Sequence, residues 1–332
     1  QMTSFPKNIL IHSLRSLIAV LALLLMSGID AFGQEQVGES RYVSIVSYNV
    51  ENLFDTTHDT LKADSAFLPE STRHWTKDKY LRKVESIARV IVSIGGFQSP
   101  AIVGLCEVEN ETCLKDLLYR GGLKNLGYRY IHHESNDTRG IDCAMLYDPL
   151  QFRLLVQQAW RIDSLRRPTR DLLYAKGICL DDTLNIILCH LPSQISGREA
   201  EERRMVVERV LQQKTDSLIA NNQDARIIVM GDMNTTPRNN LSGLSNMMVG
   251  KKMNHEGTYR YKGEWSMLDQ FYVSQALLPF CDARIFYTSW MIETDEQYTG
   301  FRPKRTYRGM RYTGGVSDHL PIVLNIYDKE QR

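Results

Sequence analysis

From residue 41 onward, short apolar runs alternate with amphipathic stretches, and turn-forming residues separate them. Runs rich in β-branched and aromatic residues predict strands at Tyr42–Tyr48, Ala101–Cys106, Tyr128–His132, Asp142–Tyr147, Phe152–Trp160 and Ala175–Leu180. The same pattern recurs at Leu184–His190, Arg226–Met230, Met267–Val273, Ala283–Tyr287 and Ile322–Tyr327. Helical periodicity is rarer. Leu81, Val84, Ala88 and Ile91 predict a helix over about 79–94, and a second covers about 111–118. The longest starts after Ser196 and ends near Asn221. Ser196 and Glu199 form its capping-box signal, and Val207, Val210, Leu211 and Leu218 its apolar stripe. The polar segment Thr56–Asp78 has no clear period and reads as a long loop. Many strands with few helices predict two β-sheets packed face to face, with helices outside.

The first residues follow a different rule. Lys7 and Arg15 precede an apolar run from Leu17 to Met26, and small residues follow at Ala31 and Gly33. This is the pattern of a secretory signal peptide, removed after Gly33. The run is short beside the roughly 20 apolar residues of a spanning helix. The expectation is a signal peptide over 1–33 and a single domain over 34–332, exported to the periplasm or secreted, with no stable membrane insertion after cleavage. The alternative is an uncleaved anchor.

Charge narrows the partners. The formal net charge is +1, and losing Lys7, Arg15 and Asp30 leaves 0. A sequence-independent nucleic-acid binder usually carries a strong basic excess, so any phosphate recognition here must be local. Cys106, Cys113, Cys143, Cys179, Cys189 and Cys281 include no C-x-x-C pair, which argues against a cysteine zinc site. In an exported chain two of them could pair.

Chemistry-bearing residues recur at the ends of the predicted strands, where loops place catalytic groups. Asn49 closes the first strand, in Ser47-Tyr48-Asn49-Val50-Glu51. Its amide oxygen could bind a hard cation, or orient a carboxylate that does. Glu107 ends the apolar run Ile102–Cys106 and suits a Mg²⁺ ion, which takes oxygen ligands. His190 ends another run, before Leu191-Pro192, and could donate to a phosphoryl oxygen. Asp232 and Asn234 follow Gly231, two residues apart and so able to point the same way. A carboxylate and an amide side by side can hold and activate one water. Asp269 follows Met267-Leu268, and Asp318-His319-Leu320-Pro321 precedes the last strand. Adjacent residues point apart, so Asp269 is the expected partner of His319, with Asp318 facing a metal or water. Taken singly, each residue has a bland reading as a turn former, a solvated acid or a structural histidine.

Together, in this order, the set resembles the endonuclease/exonuclease/phosphatase superfamily, over about residues 41 to 328. Gly231-Asp232-Met233-Asn234 and Ser317-Asp318-His319-Leu320-Pro321 are the most specific segments. The resemblance implies a four-layer α/β sandwich whose two sheets are mainly antiparallel. It implies a Mg²⁺ site at Glu107 with Asn49 and Asp318, for which Mn²⁺ could substitute. It makes Asp232, beside Asn234, the group that orients or deprotonates water. His190 and His319 become donors to the phosphoryl oxygens, and Asp269 the partner of His319. Asp142, in Arg139-Gly140-Ile141-Asp142, matches the carboxylate that pairs with the first histidine in the deoxyribonuclease branch.

Arg302, Lys304, Arg305, Arg308 and Arg311 crowd the segment before Asp318. They read either as a substrate-phosphate clamp, since arginine forks match phosphate oxygens, or as a solvated basic loop pairing with acids. The expected function is metal-assisted hydrolysis of phosphodiesters by a monomeric exported nuclease. The alternatives are a phosphoesterase for sugar phosphates, inositol phosphates or phospholipid head groups, and a non-enzymatic binding module on the same fold.

Overall fold

The computed structural model describes residues 41–329 except 97, 194–196, 238–239, 242 and 251–256. The expected signal peptide and the capping residue Ser196 lie outside the described residues. In chain order the strands begin with β1 (Tyr42–Leu53), β2 (Ile102–Val108), β3 (Arg129–His132), β4 (Asp142–Tyr147), β5 (Arg153–Trp160) and β6 (Leu172–Cys179). They continue with β7 (Asp182–His190), β8 (Arg226–Asp232), β9 (Asn240–Leu241), β10 (Leu244–Asn246), β11 (Tyr259–Tyr261), β12 (Glu264–Ser266) and β13 (Asp269–Ser274). The last are β14 (Cys281–Ile285), β15 (Ile292–Thr294), β16 (Phe301–Pro303), β17 (Tyr307–Arg308), β18 (Arg311–Tyr312) and β19 (Ile322–Tyr327). The α-helices among the described residues are α1 (Lys77–Gly95), α2 (Glu111–Tyr119) and α3 (Gly197–Asn221). None is long and apolar enough to cross a membrane.

Two sheets dominate. One runs β14-β19-β1-β2-β4-β3, the other β5-β6-β7-β8-β13-β10-β9. Each is antiparallel except for one central parallel pair, β1/β2 and β7/β8. A parallel pair needs a long crossover. In the first case α1 lies in it, in the second α3. Both crossovers return the chain so that β1, β2, β7 and β8 end at one edge of the sandwich.

Alternation along the strands decides what each sheet buries. In β7 and β8, Ile186, Leu188, Ile228 and Met230 enter the large core shared with the other sheet. Their neighbours Ile187, Cys189, Ile227 and Val229 form a second core with Val207 and Leu211 of α3. Val84, Ile87, Ala88 and Ile91 of α1 join the large core. The sheets meet closely at Gly104 of β2. A Cβ there would lie 2.6 Å from the Met230 methyl and 2.9 Å from a Leu188 methyl. The glycine inside an otherwise apolar strand is thus a packing requirement.

The loop before α1 is a packed wall. Trp75 is fully buried and donates its indole N–H to the Phe54 carbonyl at 3.0 Å. Phe67 stacks on Phe54 at 4.2 Å between ring centres. All six cysteines are buried and none is in a disulfide.

Gly231 sets the bend that delivers the next residue, Asp232, to the edge. Its φ is +139°, and a Cβ would sit 1.8 Å from the Cys189 carbonyl oxygen. Backbone cannot yield there as a flexible side chain could. Gly231→Ala should therefore destabilise the fold by about 3 kcal/mol or more, measured as a lower midpoint in chemical denaturation.

Candidate active site

The strand register gathers the chemistry-bearing residues. His190 and Asp232 face each other across the parallel β7/β8 pair. Asp269 opens β13 directly opposite Asp232. Ile322 of β19 pairs with Ser47, so Asp318 and His319, just before it, arrive beside Asn49. Ser317 fastens this approach by donating its hydroxyl to the Asn49 carbonyl at 2.6 Å and accepting the His319 N–H at 3.0 Å.

Asp232 is the hub. The Asn49 amide donates to its Oδ2 at 3.0 Å, and the Asn234 N–H donates to its Oδ1 at 2.9 Å. His190 Nε2 and His319 Nε2 lie 3.6 and 3.8 Å from Oδ2. Burial lifts the carboxyl, His319 pulls it down and Asp269 lifts it again, leaving its pKa at about 6. Asn49 accepts the Glu51 N–H on its amide oxygen. Asn49 thus orients Asp232, not the Glu107 expected to bind the cation.

The two histidines take opposite charge states. His319 Nδ1 is 2.8 Å from Asp269 Oδ2. Burial opposes its protonation, but Asp269 and Asp232 outweigh burial and hold its pKa well above the ordinary imidazole value. His190 is pushed well below that value by burial, then by Arg170, Arg139 and His319. A cationic donor and a neutral imidazole therefore flank one carboxylate.

A second acidic group surrounds Glu107. Its Oε2 accepts the Asn52 N–H at 2.8 Å, and its Oε1 lies 3.9 Å from both Arg139 and His190. Glu51 is raised to about 7 by burial and by Asp318, against the pull of Lys83, Thr306 and Arg305. Glu51, Asn52, Glu107 and Asn234 all have positive φ, and non-glycine residues held there cluster at functional sites. Oxygen donors of this kind suit a hard divalent cation. The mutual repulsion of Glu51 and Asp318 is what such a cation would relieve. Neither Glu51 nor Lys83 stood out in the sequence. Glu51 lies two residues from Asn49, a spacing that could have signalled it. Lys83 sits on a helix among solvated charges, yet it is buried and donates to Thr306 Oγ1 and the Val316 carbonyl.

Some expected residues serve elsewhere. Asp142 does not hold His190: its Oδ1 accepts the Ser135 N–H, its Oδ2 lies 3.4 Å from His132, and His190 Nδ1 has no hydrogen-bond partner. Two of the arginines have acid partners of their own. Arg302 pairs with Glu293 and Asp295, and Arg308 with Glu293, because β15 sets these acids beside β16. Arg311 is exposed on β18. Arg305 donates to Asp318 at 3.1 Å, and Arg302 and Arg308 line the same cavity of about 250 Å³ beside Asp318.

The sequence profile of the Endonuclease/Exonuclease/phosphatase family matches residues 44–328. The chain belongs to this family. Members of the family are hydrolases acting on phosphate esters, and this chain is such an enzyme. No curated protein matches it by sequence. Solved structures share the fold. D. rerio TDP2 complexed with single-strand DNA product is 20% identical with a TM-score of 0.55, covering 86% of this chain and 98% of that one. A family protein from Bacteroides thetaiotaomicron is 16% identical with a TM-score of 0.55, covering 88% and 99%. The human Nocturnin catalytic domain with bound sulfate is 16% identical with a TM-score of 0.53, covering 86% and 94%. Within this family fold, Asp232 is the carboxylate at which Asn49 and both histidines meet.

If Asp232 serves as the base, it must be ionised to accept a proton. With Asp232 at about 6, kcat/KM on a simple phosphodiester such as bis(p-nitrophenyl) phosphate should fall roughly tenfold per unit below that pH. Asp232→Asn should lower kcat by about a thousandfold, measured with the folded state verified by circular dichroism.

Proposed function

We propose that the protein is an exported, Mg²⁺-dependent nuclease that hydrolyses phosphodiester bonds by water attack. The observation that carries this reading is Asp232, held by Asn49 and Asn234 between a cationic His319 and a neutral His190. Asp232 takes the proton of the attacking water. Asn234, with its side-chain amide on the Leu191 carbonyl, fixes the adjoining backbone. His319, held by Asp269, donates to a non-bridging phosphoryl oxygen, where charge develops. His190 offers a second, uncharged donor.

Glu107, with Glu51 and Asp318, would hold the cation. When bound, a divalent metal supplies neutralisation of the phosphate charge and stabilisation of the leaving oxygen. Beside these acids lies a slot of about 180 Å³ lined by Glu51, Asn52, Phe67, Arg73, Arg305 and Tyr307 among others. The Arg73 guanidinium lies 5.1 Å from the Phe67 ring and 5.5 Å from the Tyr307 ring. Cation and aromatic faces together suit a nucleotide strand, and the DNA product on zebrafish TDP2 supports the same substrate class. Export follows from the signal-peptide pattern of residues 1–33, with the mature chain a periplasmic or secreted monomer.

The test is plasmid nicking and single-strand cleavage by residues 34–332 with Mg²⁺. Cleavage should be lost with EDTA and in Asp232→Asn. Hydrolysis of inositol phosphates or phospholipids with no cleavage of either DNA form, even with Mn²⁺, would overturn the nuclease reading and leave the phosphoesterase one.

A further inference from the structure

Away from the hub, three side chains on the β3–β4 hairpin converge without an assigned task. His132 closes β3 and pairs in register with Ala144 of β4. Alternation sets Asp142, two residues from Ala144, on the same face as His132, and Glu134 follows two residues past the end of β3. Their ligand atoms lie within 4.8 Å of one another.

The contacts inside this cluster are unusual. His132 Nε2 lies 3.4 Å from Asp142 Oδ2, with side chains only 4% and 2% exposed. Both atoms are buried, and neither makes a hydrogen bond. Such atoms are normally paired, because unpaired burial is unfavourable. A metal bound tetrahedrally at about 2.0–2.1 Å holds neighbouring ligands about 3.3–3.4 Å apart, which is the separation found. The Asp55, Glu109 and Cys113 cluster differs. Its carboxylates already accept hydrogen bonds from Asn110 and the Asp55 N–H.

We propose that His132, Asp142 and Glu134 form a second metal site, distinct from the catalytic carboxylates and suited to a borderline ion such as Zn²⁺. An imidazole with two carboxylates favours such an ion over Mg²⁺, whose preferred ligands are all oxygen. Glu134 gives access from solvent, and a water completes the tetrahedron. Lys62 Nζ now lies 3.4 Å from Glu134 Oε1 and also donates to the Ser135 carbonyl. Binding leaves Lys62 on that carbonyl and turns Glu134 to the ion. Because Asp142 Oδ1 also accepts the Ser135 N–H, the ion ties together the two ends of the loop from His133 to Ile141. That loop carries Asp137 to Arg170 at 3.2 Å and Arg139 to within 3.9 Å of Glu107. The bound ion is thus an anchor for the strap of charges along the catalytic rim.

The test is calorimetric titration of the metal-stripped full chain with Zn²⁺ in the presence of saturating Mg²⁺, repeated in Glu107→Gln to remove the catalytic site. One equivalent of Zn²⁺ should bind in both. His132→Gln should weaken it at least about a hundredfold and Glu134→Gln at least about tenfold, since losing a direct ligand costs no less than losing an outer-shell partner. Glu134 is exposed, so its variant keeps the test informative if His132→Gln does not fold. Co²⁺ in the same protein should show the visible bands of a tetrahedral site, absent in Glu134→Gln. No Zn²⁺ uptake beyond that lost in Glu107→Gln, or uptake unchanged in a folded Glu134→Gln, would overturn the proposal.

Discussion

Two hydrogen bonds that cross between the sheets hold the active site together. Asn49 of β1 reaches Asp232 of β8, and His319, which leads into β19, reaches Asp269 of β13. Each joins a residue of the six-stranded sheet to one of the seven-stranded sheet. The catalytic geometry therefore depends on how the sheets lie face to face, and that depends on close packing such as Met230 and Leu188 against Gly104. Local propensity cannot set such a distance. It is fixed by the volume of the core between the sheets.

Burial then converts this geometry into chemistry. Asp232, His190 and His319 all lie in low-dielectric surroundings, where a neighbour's charge decides the protonation state. The same burial acts on both histidines, yet they end on opposite sides of neutrality. His319 has Asp269 at 2.8 Å from its Nδ1, whereas His190 Nδ1 has no such partner, and Arg170, Arg139 and His319 lower it beyond the effect of burial. A difference in charge state between chemically identical side chains sets a cation and a neutral imidazole on either side of one carboxylate.

The sandwich and most of its strands were legible because β-branched runs ending in turn residues have few other readings. The short strands β9 to β12 and β15 to β18 were not. Two or three residues are too few to show alternation, and most of these strands pair as short hairpins with a neighbour a few residues away. The hub was legible through Gly231-Asp232-Met233-Asn234, where spacing alone sets a carboxylate beside an amide. The acid partners of Arg302 and Arg308 were not legible, because Glu293 and Asp295 come from a preceding segment with no marked pattern of its own. Lys83 was invisible for a similar reason: its burial comes from the segment around Thr306 and Val316, more than two hundred residues away. Asp142 shows the limit of analogy. Its position at the head of β4 mirrors that of Asp269 at the head of β13, but its histidine is a different one.

The placing of the parallel pairs has a further consequence. Written as β14-β19-β1-β2-β4-β3 and β5-β6-β7-β8-β13-β10, the two sheets carry the same arrangement, with the crossover pair third and fourth in each. Asn49 and His190 lie toward the ends of the third strands, Glu107 and Asp232 toward the ends of the fourth. The two sheets share this strand plan but carry different chemistry on it. One sheet contributes the oxygen cluster around Glu107, the other the Asp232 hub. Neither contains a whole site, so the enzyme exists only at their junction, and mutations that preserve each sheet but loosen their contact should act on catalysis as though they had struck the active site itself.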